Sequence, residues 1–225
     1  LRKLNQTSVT LSGWRQSVAQ LLCVLPVCFG FLLPTGILLY WAFFYAELQS
    51  MWSLIISSFF LAGFASLLIV CVALLICYAN RLYPSTWLNY ATTFVGLGYA
   101  LPGVVVAIGV LIPFGAFDRG LSELLRPFGV EPSLWLSGTL IALMFAYLVR
   151  FLTVATGNLT SGLSRVRPSI DQSGRLLGLS QMGVVQKLHV PLIRGSVLTA
   201  LLVCFVDILK ELPATLILRP FDFNT

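Results

Sequence analysis

The sequence predicts an all-α, polytopic membrane protein, and three observations carry that prediction. Apolar residues make up 58% of the 225-residue chain and charged residues only 10%. A soluble core of this size could not bury such an excess, whereas a bilayer accepts any uncharged helix of about 20 residues. Charged residues are spaced so that the intervals Arg15 to Glu47, Glu47 to Arg81 and Arg81 to Asp118 contain none, and each is long enough to cross the hydrocarbon. The apolar runs are continuous, whereas a barrel strand alternates lipid-facing and lumen-facing residues.

Those three intervals give three spans. A fourth runs from about Leu134 towards Gly157, broken by Arg150 near its end, and a fifth from about Gly195 to Leu218, with Asp207, Lys210 and Glu211 inside it. Pro26, Pro34, Pro102 and Pro213 are expected to kink these helices. The first apolar run is too long for a signal peptide and lacks a small-residue cleavage site, so it stays as an anchor. Lys and Arg collect on one side: Arg2, Lys3 and Arg15 before the first span, Arg81 after the second, and Arg165, Arg167, Arg175, Lys187 and Arg194 after the fourth. The other side receives Glu47 and a loop from Pro113 to Ser133, where Asp118, Glu123 and Glu131 outnumber Arg119 and Arg126. The positive-inside rule then puts the N-terminus in the cytoplasm. The net charge of +6 is accounted for by topology and anionic head groups, and no nucleic-acid partner is expected.

Catalytic and metal signatures are missing. Cys23, Cys28, Cys71, Cys77 and Cys204 fall within apolar runs without the spacing of a zinc or redox site. There is no phosphate loop, H-E-x-x-H or G-x-S-x-G. The single histidine, His189, has no ligand companion and reads as solvated or packed.

The segment from Asn158 to Arg194 between the fourth and fifth spans has structure of its own. Ser169 and Gln172 fit a capping box and Asp171 suits the helix dipole, so a helix is expected to begin near Ile170. Gly178 can end it in the left-handed conformation, Ser180 can cap a second short helix carrying Met182, Val185 and Leu188, and Pro191 is expected to stop that helix before the next span. A helix, a glycine turn and a helix with apolar knobs suit docking to a soluble partner, against the plainer reading of a basic helix lying on the lipid surface.

Gln172-Ser173-Gly174, three residues, Gly178, nine residues, then Leu188-His189-Val190-Pro191 resembles the EAA loop of binding-protein-dependent ABC importer permeases. That pattern is Glu-Ala-Ala, three residues, Gly, nine residues, Ile-x-Leu-Pro. The spacing, the Gly and the Pro are kept, whereas Gln172, Ser173 and Gly174 replace Glu-Ala-Ala, with Asp171 as the nearest acid. Leu11-Ser12-Gly13-Trp14-Arg15, Ala100-Leu101-Pro102-Gly103, Lys210-Glu211-Leu212-Pro213-Ala214-Thr215-Leu216 and Leu218-Arg219-Pro220-Phe221 are similar to the ferric-iron type within that family. Such permeases look like two fused halves of about six spans each. Residues 1–225 look like one type I permease domain, the second half without its last span, with Thr225 where that span would approach.

The resemblance implies a transport subunit of the bacterial inner membrane, with no cofactor of its own. Two copies of an ATP-binding subunit would hydrolyse ATP, an extracytoplasmic binding protein would deliver ferric iron, and a second permease half, fused or separate, would complete the path. Asp171, Gln172, Ser173, Gly174, Gly178, Leu188 and Pro191 would couple to the ATPase, Ser173 and Gly174 by being small. Asp207, Lys210, Glu211 and Pro213 would border the translocation path, since charges inside a span usually face a cavity or a partner. Asp207 could also pair internally with Lys210 or Glu211 at helical spacing. Sulfate, molybdate, thiamine or polyamine are the alternative cargoes, and a passive channel the alternative mechanism.

Overall fold

The computed structural model describes residues 12–45, 48–83, 85–129 and 134–220. Arg2, Lys3, Leu11, Glu47, Glu131, Phe221 and Thr225, which entered the reading of topology, termini and family motifs, lie outside the described residues. The chain divides into two units, Leu1–Ser53 and Leu54–Thr225.

In the first unit, α1 (Trp14–Val27), a π turn (Cys28–Leu32) and α2 (Leu33–Tyr45) form one apolar helical run of 32 residues. Pro26 lies inside α1. Pro34, second residue of α2, directly follows the π turn, in which Leu33 N bonds Cys28 O; proline removes one i→i−4 bond and crowds the turn before it, and the widened turn there accommodates Pro34.

The second unit begins within α3 (Leu48–Leu82) and is built around α6 (Leu140–Ser164), against which α4 (Thr86–Ala100), α5 (Gly103–Leu125), α9 (Val190–Leu209) and α10 (Leu212–Leu218) pack. Helix α6 buries a stripe including Leu143, Ala146, Tyr147, Phe151, Ala155, Leu159 and Leu163. Small residues bring backbones close, as in membrane bundles generally. A Cβ on Gly98 of α4 would collide with the Val149 carbonyl, and one on Gly162 of α6 would come within 2.5 Å of Ser196 Cβ on α9. Helix α3 joins through Phe59, edge-on to Phe205 at 5.0 Å, and through Cys77, whose Sγ lies 3.5 Å from Thr160 Oγ1.

Among the described residues, five helical runs are long and apolar enough to cross a membrane: Trp14–Tyr45, Trp52–Leu82, Gly103–Phe128, Leu140–Ser164 and Gln181–Leu209. The number of spans matches the expectation, and several boundaries do not. The interval from Arg81 to Asp118 is two helices. Ser85 Oγ caps α4, Leu101 and Pro102 are extended, and α5 starts at Gly103. Pro102 thus ends one helix and starts another, because the residue before a proline is driven out of the α region. The expected loop from Pro113 is helical as far as Leu125. Asp118 stays in that helix because its carboxylate accepts hydrogen bonds from Leu136 N (2.9 Å), Ser137 N (2.8 Å) and Ser137 Oγ (2.5 Å). Thr139 caps α6, so Arg150 falls near the middle of that span, ~15 Å from its start at 1.5 Å per residue.

The connector after α6 is also shorter than Asn158 to Arg194. Helix α7 (Pro168–Leu176) begins with Pro168 in its first turn and no side-chain cap. A proline with preset φ nucleates it two residues before the expected start, and Ser169 and Gln172 make no capping box. Pro191 does not stop the next helix: α8 (Gln181–Val184) continues through a π turn (Val185–His189) into α9. Val190 N bonds Val185 O across that turn, and the widened ring lets the proline enter the first turn of α9. The fifth span therefore starts at Gln181. It ends at Leu209, with a break at Lys210 and Glu211 before α10.

Candidate functional site

Two groups of polar residues stand out, one at the connector and one halfway along the spans. At the connector, Asp171 lies in the first turn of α7, where a negative charge is favoured. Its Oδ2 accepts from Arg81 Nε (3.2 Å) and Nη2 (3.0 Å), and its Oδ1 lies 2.5 Å from His189 Nε2. Arg81 also donates to the Leu163 carbonyl (2.8 Å) and the Val166 carbonyl (3.1 Å) at the C-terminal end of α6. His189 is fully buried and stacks on Tyr78 at 5.7 Å with rings 10° apart. The fitting tautomer carries its proton on Nε2, which donates to Asp171, because the buried Nδ1 has no partner among the described residues. Burial alone would raise the Asp171 pKa. The hydrogen bonds from His189 and Arg81, with the Arg81 charge, outweigh it and hold the carboxyl below its ordinary value. One carboxylate thereby fastens α7 to α3, α6 and the start of the α9 span.

Gly178 has φ +83°. Leu179 N bonds Gly174 O and Gly178 N bonds Arg175 O, both at 3.0 Å, the Schellman arrangement that left-handed glycine permits. Ser180 Oγ then accepts from Gly183 N at 3.1 Å and starts α8, as expected. The smallness of Gly174 serves the chain itself: a Cβ there would lie 2.8 Å from Leu188 Cδ1 and 3.0 Å from Val184 Cγ2. Leu188 is half-buried over it, while Gln172, Ser173 and Pro191 are exposed. At the elbow the chain presents Leu176 at 88% exposure, Leu177 at 83% and Met182 at 63%. These are apolar side chains at the most polar part of the chain.

Halfway along the spans, the breaks α4/α5 and α9/α10 both reach Arg150. Its Nη1 donates to the Leu101 carbonyl at 2.5 Å, and its Nε lies 3.0 Å from Glu211 Oε2, an ion pair off the line of a hydrogen bond. Glu211 Oε1 accepts from Ala214 N at 3.4 Å and caps α10. Thr215 Oγ1 donates to the Glu211 carbonyl and lies 2.6 Å from the Tyr147 hydroxyl. Of the expected internal pairs, Asp207 takes Lys210, at 3.3 Å, and Glu211 turns to Arg150. Pro213 sits exposed in the first turn of α10.

Sequence reasoning passed over Arg81, read as a topology charge, and Arg150, read as a flaw near a span's end. The cue for Arg150 was Thr139, an N-cap that fixes the start of α6 and so puts a charge at mid-span. Nothing local marks Arg81 as the partner of a carboxylate 90 residues away.

No protein-family model matches the chain. Over 85% of its length it is 26% identical to the Fe(3+)-transport system permease protein FbpB 2 of Haemophilus influenzae. Over 92% it is 25% identical to the putative ferric transport system permease protein FbpB 1 of the same organism. Over 77% it is 25% identical to the putative 2-aminoethylphosphonate transport system permease protein PhnV of Salmonella typhimurium. It spans 36%, 35% and 60% of those proteins' own lengths. With five helices of membrane length among the described residues and this likeness, the chain is a multi-pass membrane protein similar to transport-system permease proteins.

Proposed function

We propose that this chain is one half of the permease of an ATP-driven importer in the bacterial inner membrane, carrying ferric iron handed over by an external binding protein. In this reading the Asp171 end faces the cytoplasm, together with the N-terminus, as the basic residues from Arg165 to Arg194 favour. The ATP-binding subunits, two per transporter, hydrolyse the nucleotide. A second permease half completes the path.

The observation that carries the reading is the elbow from α7 to α8. Leu176 and Leu177 are almost fully exposed, yet the helix bearing them is fastened to the spans through Asp171, Arg81 and His189. A groove in an ATPase that holds the two leucines can push or pull on the bundle without the elbow giving way. Nucleotide energy is used when the ATPase binds one arrangement of the spans better than the other. Gly178 keeps the elbow bent, Gly174 lets it fold onto Leu188, and Gln172, Ser173 and Pro191 lie on accessible surface beside it. Asp207, Lys210, Glu211 and Pro213 border the path at the break before α10.

Ferric cargo is favoured because relatives named as ferric permeases align with 85% and 92% of the chain. The PhnV likeness, which extends over 60% of that protein, makes 2-aminoethylphosphonate the second reading. The test is uptake of labelled ferric iron into vesicles holding the full-length permease with its ATPase and binding protein, wild type against Gly178→Asp. ATP-dependent uptake abolished by the substitution, with normal membrane insertion, is the expected result. Uptake of labelled 2-aminoethylphosphonate without iron would overturn the cargo, and uptake indifferent to Gly178→Asp would overturn the coupling role.

A further inference from the structure

The mid-span contact around Arg150 has no explanation in stability alone. Glu211 is buried and its side chain keeps 8% exposure, against 18% for Arg150. Replacing a buried ion pair by well-packed apolar groups is often neutral or stabilising, and its best-attested use is to fix a register or a switch. Here the chain breaks twice beside the middle of α6, between α4 and α5 at Leu101-Pro102 and between α9 and α10 at Lys210-Glu211, and one guanidinium touches both breaks. Leu101 O has lost its helical donor, because Val105 N and Val106 N both turn to Pro102 O, and Arg150 supplies the replacement. Glu211 uses one oxygen to start α10 and the other to face Arg150.

Gly103 completes the arrangement. A Cβ on it would collide with Glu211 Oε1 and come within 3.4 Å of Arg150 Nη1. Glycine as the first residue of α5 thus leaves room for the Glu211 carboxylate in the position from which its other oxygen faces the guanidinium. Non-helical backbone inside a membrane protein is tolerated where it is buried in protein or borders a path, and transporters commonly build their substrate sites at such breaks.

We propose that Arg150 is a positioning residue for translocation: through Leu101 and Glu211 it clasps together the two breaks that flank the middle of α6, and the clasp opens when the helices rearrange. The proposal rests on the transport reading above and adds to it the contact that holds one of the two arrangements. The ion pair suits this use, since its Nε and Oε2 lie close without a directed hydrogen bond and can part and meet again without strict alignment.

The experiment uses the full-length permease assembled with its ATPase and binding protein in vesicles. Ala214, at the start of α10, is buried, so alkylation of Ala214→Cys by a water-soluble thiol reagent, read by mass spectrometry, reports opening of the break whatever the cargo. In that background Glu211→Gln, which keeps an oxygen to cap α10, and Gly103→Ala, which displaces the carboxylate without changing any charge, are compared with Arg150→Lys. Both of the first two are expected to raise the alkylation rate roughly tenfold, a typical scale for coupling between conformational states, and to raise ATP hydrolysed per cargo ion. Arg150→Lys, which keeps the charge, should stay nearer to wild type. If the pair merely stabilises the fold, Glu211→Gln and Gly103→Ala will lower the melting temperature and leave both readouts unchanged, which overturns the clasp. Wild-type vesicles that move neither candidate cargo would overturn the transport reading itself, a result that the alkylation rate does not depend on.

Discussion

Asp171 shows most clearly how one side chain ties distant parts of this molecule together. Replacing it by Asn would leave Arg81 short of a charged acceptor beside the α6 terminus and His189 buried without its ionic partner. Losing a hydrogen-bonded charge of this kind costs about 2 kcal/mol, and thermal unfolding of the purified full-length permease should show it for Asp171→Asn. The pH dependence has a definite sign. The folded carboxyl titrates below its unfolded value, so its contribution is present above the ordinary carboxylate value of 3.8 and is lost as pH falls through the depressed folded value. Hydrogen exchange should find the α7 amides protected at neutral and mildly acidic pH and freed only in strong acid; loss of protection near neutral pH would contradict the assignment. At this scale the sequence marked the acid and the left-handed glycine, because caps and turns are local. It could not mark Arg81 as the partner, since long-range pairing leaves no local pattern.

Among the elements, the crossing of α6 and α9 is the tightest test of the packing. A Cβ on Gly162 would press on Ser196 Cβ and Oγ, and forcing extra volume into a packed contact typically costs about 1–3 kcal/mol. Gly162→Ala should therefore lower the melting temperature, and Ser196→Gly added to it should restore most of the loss. A double variant no better than the single one would mean that the helices cross elsewhere. The element boundaries were the least legible part of the fold. Apolar runs gave the spans, but hydropathy is blind to a break such as Leu101-Pro102 that lies within one run. Pro191 misled for a related reason: proline forbids a regular α turn before it, yet a π turn over Val185–His189 meets its demands and the helix goes on. The capping box at Ser169 and Gln172 failed because Pro168, two residues before the expected start at Ile170, nucleates the same helix.

The whole molecule combines an apolar bundle, which any bilayer would accept, with two polar devices that lipid alone does not require. One holds the connector to the spans, and the other joins two breaks beside the middle of α6. The first was legible in outline through the spacing of Gly178 and Pro191. The second was legible only as a suspicious set of charges near Glu211, because Arg150 had been assigned to a span's end. In the proposed function, the connector hands force from an ATP-binding subunit to the spans through its exposed leucines. Because Leu176 and Leu177 are 88% and 83% exposed, the double substitution Leu176→Asp/Leu177→Asp should change the stability of the permease by no more than about 0.5 kcal/mol. The most direct measurement is co-purification of the ATP-binding subunit with the full-length permease carrying that double substitution. The subunit is expected to be lost while the permease keeps its wild-type melting temperature; an ATP-binding subunit retained at the wild-type level would rule out coupling through these leucines.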